Sequence, residues 1–170
     1  GKDEWGTTLD CIVGDYDNDG LNEILITGGY ENTPSLIALK WNGNEFIEEA
    51  SWGSHSIYFP WIADVDNDDL NEVIVGHGKE LTILKWNGNE FLSYVIEKFP
   101  YQVFGCVAKD SNGDGVNEIH VTFGHPRLCI YRFNGNEYEL IFDKTWNGEE
   151  DTIEAIDVGD VDNDYKAEVA

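Results

Sequence analysis

Apolar and polar positions alternate over short stretches of this chain, and no 3.6-residue helical period persists anywhere. Asp10–Asp15 reads as a strand that leads into an acidic loop. Glu23–Thr27 is an apolar second strand, Ser35–Trp41 alternates as a third, and Glu45–Ala50 returns as a fourth. Between the last two, Asn42-Gly43 predicts a two-residue hairpin turn, because both central positions of that turn need positive φ. The same order of elements recurs further along, with Asn87-Gly88 and Asn134-Gly135 at the turns.

The recurrence is a true internal repeat. Residues 15–24 read DYDNDGLNEI, 64–73 DVDNDDLNEV, 110–119 DSNGDGVNEI and 160–169 DVDNDYKAEV, so the copies begin 49, 46 and 50 residues apart. A second motif interleaves with them, as WNGNEF at 41–46 and 86–91 and FNGNEY at 133–138. Four strands in each repeat of about 45–50 residues is the arithmetic of a β-propeller blade. The expected fold is therefore all-β, built of four-stranded antiparallel blades. Residues 1–170 form a partial propeller of about three and a half blades, with repeats near 7–53, 54–100, 101–149 and an incomplete 150–170. A closed ring takes roughly four to eight blades. The expectation is that a longer chain, or a homo-oligomer, completes it.

Composition narrows the functions open to such a fold. The 170 residues are 41% hydrophobic and 13% aromatic, enough for a core and too rich in rings for a disordered acidic tail. Against 34 acidic side chains stand 10 basic ones, a formal net charge of −24. That balance argues against nucleic acid, whose phosphates need Lys and Arg, and against anionic membrane surfaces. No apolar run approaches the roughly 18 residues that would insert in a bilayer. Self-repulsion on this scale calls for something positive, and bound cations are the direct answer. The three cysteines, Cys11, Cys106 and Cys129, are too few and too irregular for a disulfide framework or a zinc site.

The acidic loops supply cation ligands. In the first copy oxygens at positions 1, 3 and 5 come from Asp15, Asp17 and Asp19, and position 9 is Glu23. Alternate side chains in a tight loop converge on one concavity, joined by the backbone carbonyl of position 7, which is Leu21. An all-oxygen set of this kind suits a hard cation, calcium before magnesium. An EF-hand is set aside, because it needs a Glu at position 12 and flanking helices. Position 12 is Ile26, Val75 or Val121 here, and the flanks are strands.

With an aliphatic strand after it, the pattern D-x-[DN]-x-D-G-x-x-E resembles the calcium-binding loop of FG-GAP/VCBS-type repeats, found in integrin α-subunit propellers and many secreted microbial proteins. The resemblance implies one calcium per loop, held between the first and second strands of a blade. It carries onto Asp15, Asp17, Asp19 and Glu23, and onto Asp64, Asp66, Asp68 and Glu72. It extends to Asp110, Asn112, Asp114 and Glu118, and to Asp160, Asp162, Asp164 and Glu168. The position-7 carbonyls are those of Leu21, Leu70, Val116 and Lys166. At position 6 Gly20 and Gly115 fit a sharp turn, Asp69 tolerates a left-handed backbone, and Tyr165 does so poorly. Occupancy is expected to be highest in the first and third loops, next in the second and lowest in the fourth.

Nothing else in the chain carries a catalytic signature. No HExxH, GxSxG or Walker-type pattern occurs, and the protein is expected not to be an enzyme. His120 fills a strand slot held elsewhere by Leu25 and Ile74, which reads as packing, while His77 and His125 read as loop residues. Trp41, Trp86 and Phe133 recur in step and read as scaffold. Cys11 and Cys106 share one slot, four residues before their loops, and read as small buried groups. Tyr58, Phe59 and Trp61, in a stretch without counterpart, form a candidate aromatic platform for a protein or glycan ligand. The function implied is a calcium-stabilised module for extracellular or cell-surface adhesion, recognition or assembly. The alternatives are a glycan-binding lectin and a non-catalytic module of a secreted polysaccharide-degrading enzyme.

Overall fold

Short strands joined by tight turns pair most readily with their neighbours in sequence. The structure, a computed structural model, describes residues 8–28, 34–124, 126–146, 153, 156–160 and 168–169. The first sheet runs in order β1 (Thr8–Gly14), β2 (Glu23–Gly28), β3 (Leu36–Trp41) and β4 (Phe46–Trp52). The second is β5 (Trp61–Ala63), β6 (Glu72–His77), β7 (Glu80–Trp86) and β8 (Phe91–Lys98). A third contains β9 (Val103–Lys109), β10 (Glu118–Phe123), β11 (Arg127–Phe133) and β12 (Tyr138–Thr145). Every pairing is antiparallel, and β13 (Val158–Gly159) and β14 (Glu168–Val169) form a further two-stranded piece. The described residues are all-β, contain no helix and do not close into a ring.

The sheets pack face to face because the middle one is apolar on both sides. Along β6, Val73 and Val75 join Tyr16, Leu25, Leu36 and Ala38 of the first sheet, while Ile74 joins Ile119, Val121 and Phe123 of the third. Alternate residues of a strand point to opposite faces, so this strand is buried at every position up to Gly76. β2, with one covered face, alternates instead between buried and half-buried positions. The first strands lie side by side, β5 touching both β1 and β9. That places the three acidic loops along one edge of the stack.

Two expectations are corrected. The Asn-Gly turns are four-residue loops rather than two-residue hairpins, since Trp41 pairs with Phe46 and Asn42 N–H donates to the Glu45 carbonyl at 3.1 Å. Only Gly43 has positive φ, at 99°; Asn42 does not. The Asn42 Oδ1 instead accepts the amides of Asn44 and Glu45 at 2.9 and 3.0 Å, an Asx turn in which the side chain replaces a backbone acceptor. The second correction concerns Cys11, which is exposed, while Cys106 in the same slot is buried and donates its thiol to the Phe59 carbonyl at 3.1 Å. Cys11 lies on the face of the first sheet that no other described sheet covers, so an identical slot does not bring identical burial. His120 is fully buried as expected, and burial pushes its pKa down to about 4.

The second and third sheets approach closely at Gly76, where a β-carbon would stand 2.4 Å from Val103 Cγ1 and 2.9 Å from Val103 Cβ. Gly76→Ala is expected to cost about 1–3 kcal/mol through overpacking. Adding Val103→Ala should recover part of that loss in urea unfolding. A single variant as stable as the parent would contradict this packing of β6 on β9.

Candidate metal sites

Each of the three described acidic loops is folded by its own first carboxylate. The Asp15 side chain accepts the amides of Asp19 and Gly20 at 3.1 and 3.0 Å. Asp64 accepts those of Asn67, Asp68 and Asp69 at 2.7, 3.3 and 3.1 Å. Asp110 takes four, from Asn112, Gly113, Asp114 and Gly115, at 2.7–3.3 Å. Burial works against the Asp110 carboxylate, but these amides hold its pKa below the ordinary value. So tight a wrap forces two left-handed residues. Position 6 has φ of 88°, 64° and 88° at Gly20, Asp69 and Gly115, so Asp69 does adopt the strained conformation. Position 4 shares it, with φ of 62°, 60° and 79° at Asn18, Asn67 and Gly113. Asn is among the few side chains that tolerate this region.

The wrap turns the remaining acids inward. Oxygens of Asp15, Asp17, Asp19 and Glu23 all lie within 4.8 Å of one another, as do those of Asp64, Asp66 and Glu72. Oxygens bound to calcium at about 2.3–2.6 Å stand up to about 5 Å apart across the ion, so both sets match its coordination sphere. Two carboxylate oxygens, Glu23 Oε2 and Asp66 Oδ1, are buried with no hydrogen-bond partner. Such orphaned acceptors are costly and would be satisfied by a cation, so the residues present fit a metal ion. Among the described residues the third loop does not gather in this way. Its Glu118 accepts Ser111 N–H and Oγ–H at 3.0 and 2.8 Å, and Asn112 Nδ2 at 2.6 Å. Convergence of the carboxylates is therefore found in the first and second loops.

The position-7 residues Leu21, Leu70 and Val116 donate their amides to the position-5 carboxylates at 2.8, 2.9 and 3.1 Å. Asp160 is described, and Glu168 only as part of β14. Asp162, Asp164 and Lys166 of the fourth loop lie outside the described residues, as does His125. The aromatic candidates do not share one environment. Tyr58 meets Phe104 edge-on at 5.4 Å, Trp61 packs against the core between the second and third sheets, and Phe59 alone of the three is exposed. His77 closes β6 in contact with Trp52 and His55, its ring centroid 4.9 and 5.0 Å from theirs.

Sequence reasoning missed two groups. A basic residue of the third strand enters each of the three described loops. Lys85 Nζ lies 2.5 Å from Asp66, 3.2 Å from Asp68 and 3.1 Å from Glu72. Lys40 bonds Asp17 and stands 2.8 Å from Asp19, and Arg132 is 2.7 Å from Asp114. Burial works against both lysine charges, yet the carboxylates hold each pKa above the ordinary lysine value. The other missed group is the position-8 Asn, which ties each loop to the one before it. Asn71 Nδ2 donates to the Asp15 carbonyl at 2.8 Å, and Asn117 Nδ2 to the Asp64 carbonyl at 2.7 Å. A signal existed for both: Lys, Lys and Arg precede the aromatic residue of the second motif, and Asn fills position 8 in three copies.

No family model and no curated protein matches the chain. The site's chemistry therefore rests on its own geometry.

Burial, reinforced by the Asp17 charge, pushes the Glu23 carboxyl up to about 7. Burial does the same for Glu72, also to about 7, against the pull of Val65 N–H and Lys85. Without metal, the native state keeps these protons up to about pH 7, whereas the unfolded chain releases them near 4.5. The native state binds more protons within that window, so stability falls as pH rises through it. Melting temperature in EGTA is expected to drop between about pH 5 and pH 7, and to drop less in the Glu23→Gln/Glu72→Gln double variant. An unchanged slope in the double variant would remove these two groups from the account.

Proposed function

We propose that the chain is a calcium-stabilised β-propeller segment, its blades the four-stranded sheets, serving adhesion, recognition or assembly outside the cell. The observation that carries this reading is the convergence of Asp15, Asp17, Asp19 and Glu23 around a buried, unpartnered Glu23 oxygen. A divalent ion there neutralises charge that the fold otherwise holds at a cost. The ion is structural in this reading: it pins the turn between the first two strands of a blade, so binding free energy becomes folding free energy. The resemblance of the loops to FG-GAP/VCBS repeats supports calcium over other hard cations, and supports an extracellular setting, where free calcium is plentiful. It also supports a protein or glycan partner, with the propeller as a rigid platform. A ring of blades is completed by further chain or by a second copy.

Calcium at a hundredfold excess over its dissociation constant is expected to add about 2.7 kcal/mol per site. The full chain should therefore melt several degrees lower in EGTA than in calcium, at matched ionic strength. Asp17→Ala should lose about one equivalent of bound calcium by elemental analysis. Glu90→Gln, which removes an exposed acid outside the loops, should lose none. Equal melting temperatures with and without calcium would refute the structural role.

A further inference from the structure

We propose that Lys40 and Lys85 are tethered counter-ions. In the metal-free protein they occupy the cation position of their own loops, and a divalent ion must displace them to bind. This inference rests on the metal-binding reading above and adds a competing state to it.

The placement is built into the strand register. Ile24 pairs with Leu39 and Val73 with Leu84, so one residue further along Glu23 stands opposite Lys40 and Glu72 opposite Lys85. Directly opposed residues of antiparallel strands share a face and touch. The third sheet repeats the design, because Ile119 pairs with Tyr131 and sets Glu118 opposite Arg132, 3.7 Å away. Three of only 10 basic residues in the chain thus sit in one repeat slot, each against its own loop.

The ammonium engages the carboxylates at loop positions 3, 5 and 9 that the ion would use, leaving the position-1 Asp to the loop amides. Lys85 Nζ is within 3.2 Å of Asp66, Asp68 and Glu72, the side chains at loop positions 3, 5 and 9. Lys40 Nζ spans the matching set, at 2.8 Å from Asp19 and 3.9 Å from Glu23, in addition to its bond to Asp17. A divalent ion and an ammonium cannot share a space this small, since like charges a few ångströms apart repel strongly. Both lysines are part-exposed, at 23% and 31%, so the four-carbon stem has a path out to water.

The ammonium is an incomplete substitute. It offers three N–H groups, whereas a calcium ion takes six to eight oxygens. Glu23 Oε2 and Asp66 Oδ1 accordingly stay unpartnered with the lysines in place. Displacement by a divalent ion therefore gains ligands, and the lysine preserves a folded loop when the ion is absent. Apparent metal affinity is lowered by the fraction of molecules whose lysine is out.

Calcium titration by calorimetry and thermal melts in EGTA, on the full chain and on Lys85→Met and Lys40→Met, test the proposal. Each variant should melt lower than wild type without metal, yet bind calcium about tenfold tighter at the altered loop if the lysine is inside nine-tenths of the time. Weaker or unchanged calcium affinity in both variants would overturn displacement while leaving calcium binding intact. A wild-type chain that takes up no calcium would overturn the metal reading together with this inference. A measurement independent of the variants uses ¹³C-lysine-labelled wild type. Calcium should move two lysine Cε signals to the positions of freely exposed lysines, and signals that stay in place would overturn the proposal even if the variants do not fold.

Discussion

A carboxylate buried at the first residue of the second strand sets the terms for each sheet. Glu23, Glu72 and Glu118 are 1%, 2% and 0% exposed. An ionised carboxylate taken out of water is tolerated only when it is paired and hydrogen-bonded. The sheets meet that demand unequally. Glu118 has three protein donors, from Ser111 and Asn112, at 2.6–3.0 Å. Glu72 has the Val65 amide at 3.1 Å and the Lys85 ammonium at 3.1 Å. Among the described residues Glu23 has only Lys40, at 3.9 Å, and one oxygen without a partner. Both carboxyls with incomplete shells have pKa values raised to about 7. The loops where charge is least satisfied are also those whose acids converge, which is where a divalent ion gains most.

Strand identity was legible because the period of two and the Asn-Gly punctuation are local signals. The second strand was read as Glu23–Thr27 and runs Glu23–Gly28, while the third begins at Leu36 rather than at Ser35. What failed was either side-chain detail or a property of neighbours. Asn42 bends the chain through its own Oδ1, which a rule based on φ alone does not register. β5 shrinks to Trp61–Ala63 directly after Pro60, a residue with no N–H to give a ladder. Exposure of Cys11 depends on whether another sheet covers that face, and no residue near Cys11 encodes this.

The same division runs through the site. Carboxylate spacing within ten residues picked out the four acids that converge in the first loop and three in the second, where Asp68 stands outside the converging set. It did not show that an Asn at position 3 can donate as well as accept, and Asn112 turns its amide on Glu118. The lysines were hidden by distance: Lys40 is 23 residues from Asp17, and Lys85 is 19 from Asp66. Only the pairing of the second and third strands brings them together, and that pairing becomes calculable once the register is known.

The bonds between loops carry the argument from one site to the stack. Apolar burial between sheets is non-directional, and aliphatic faces such as those of Val73 and Val75 resist sliding only through their shape. Asn71 and Asn117 supply direction, since each reaches from its own loop to the first carbonyl of the preceding one. Asn18 and Asn71 reinforce the first of these joints with bonds of 2.7 and 3.2 Å. An ordered loop therefore orders the joint on each side of it. Order in a loop thus acts beyond one turn, because these bonds help set one sheet against the next. In the fourth copy Ala167 stands where this Asn would be. The sequence of that copy therefore lacks the side-chain amide that makes the joint elsewhere.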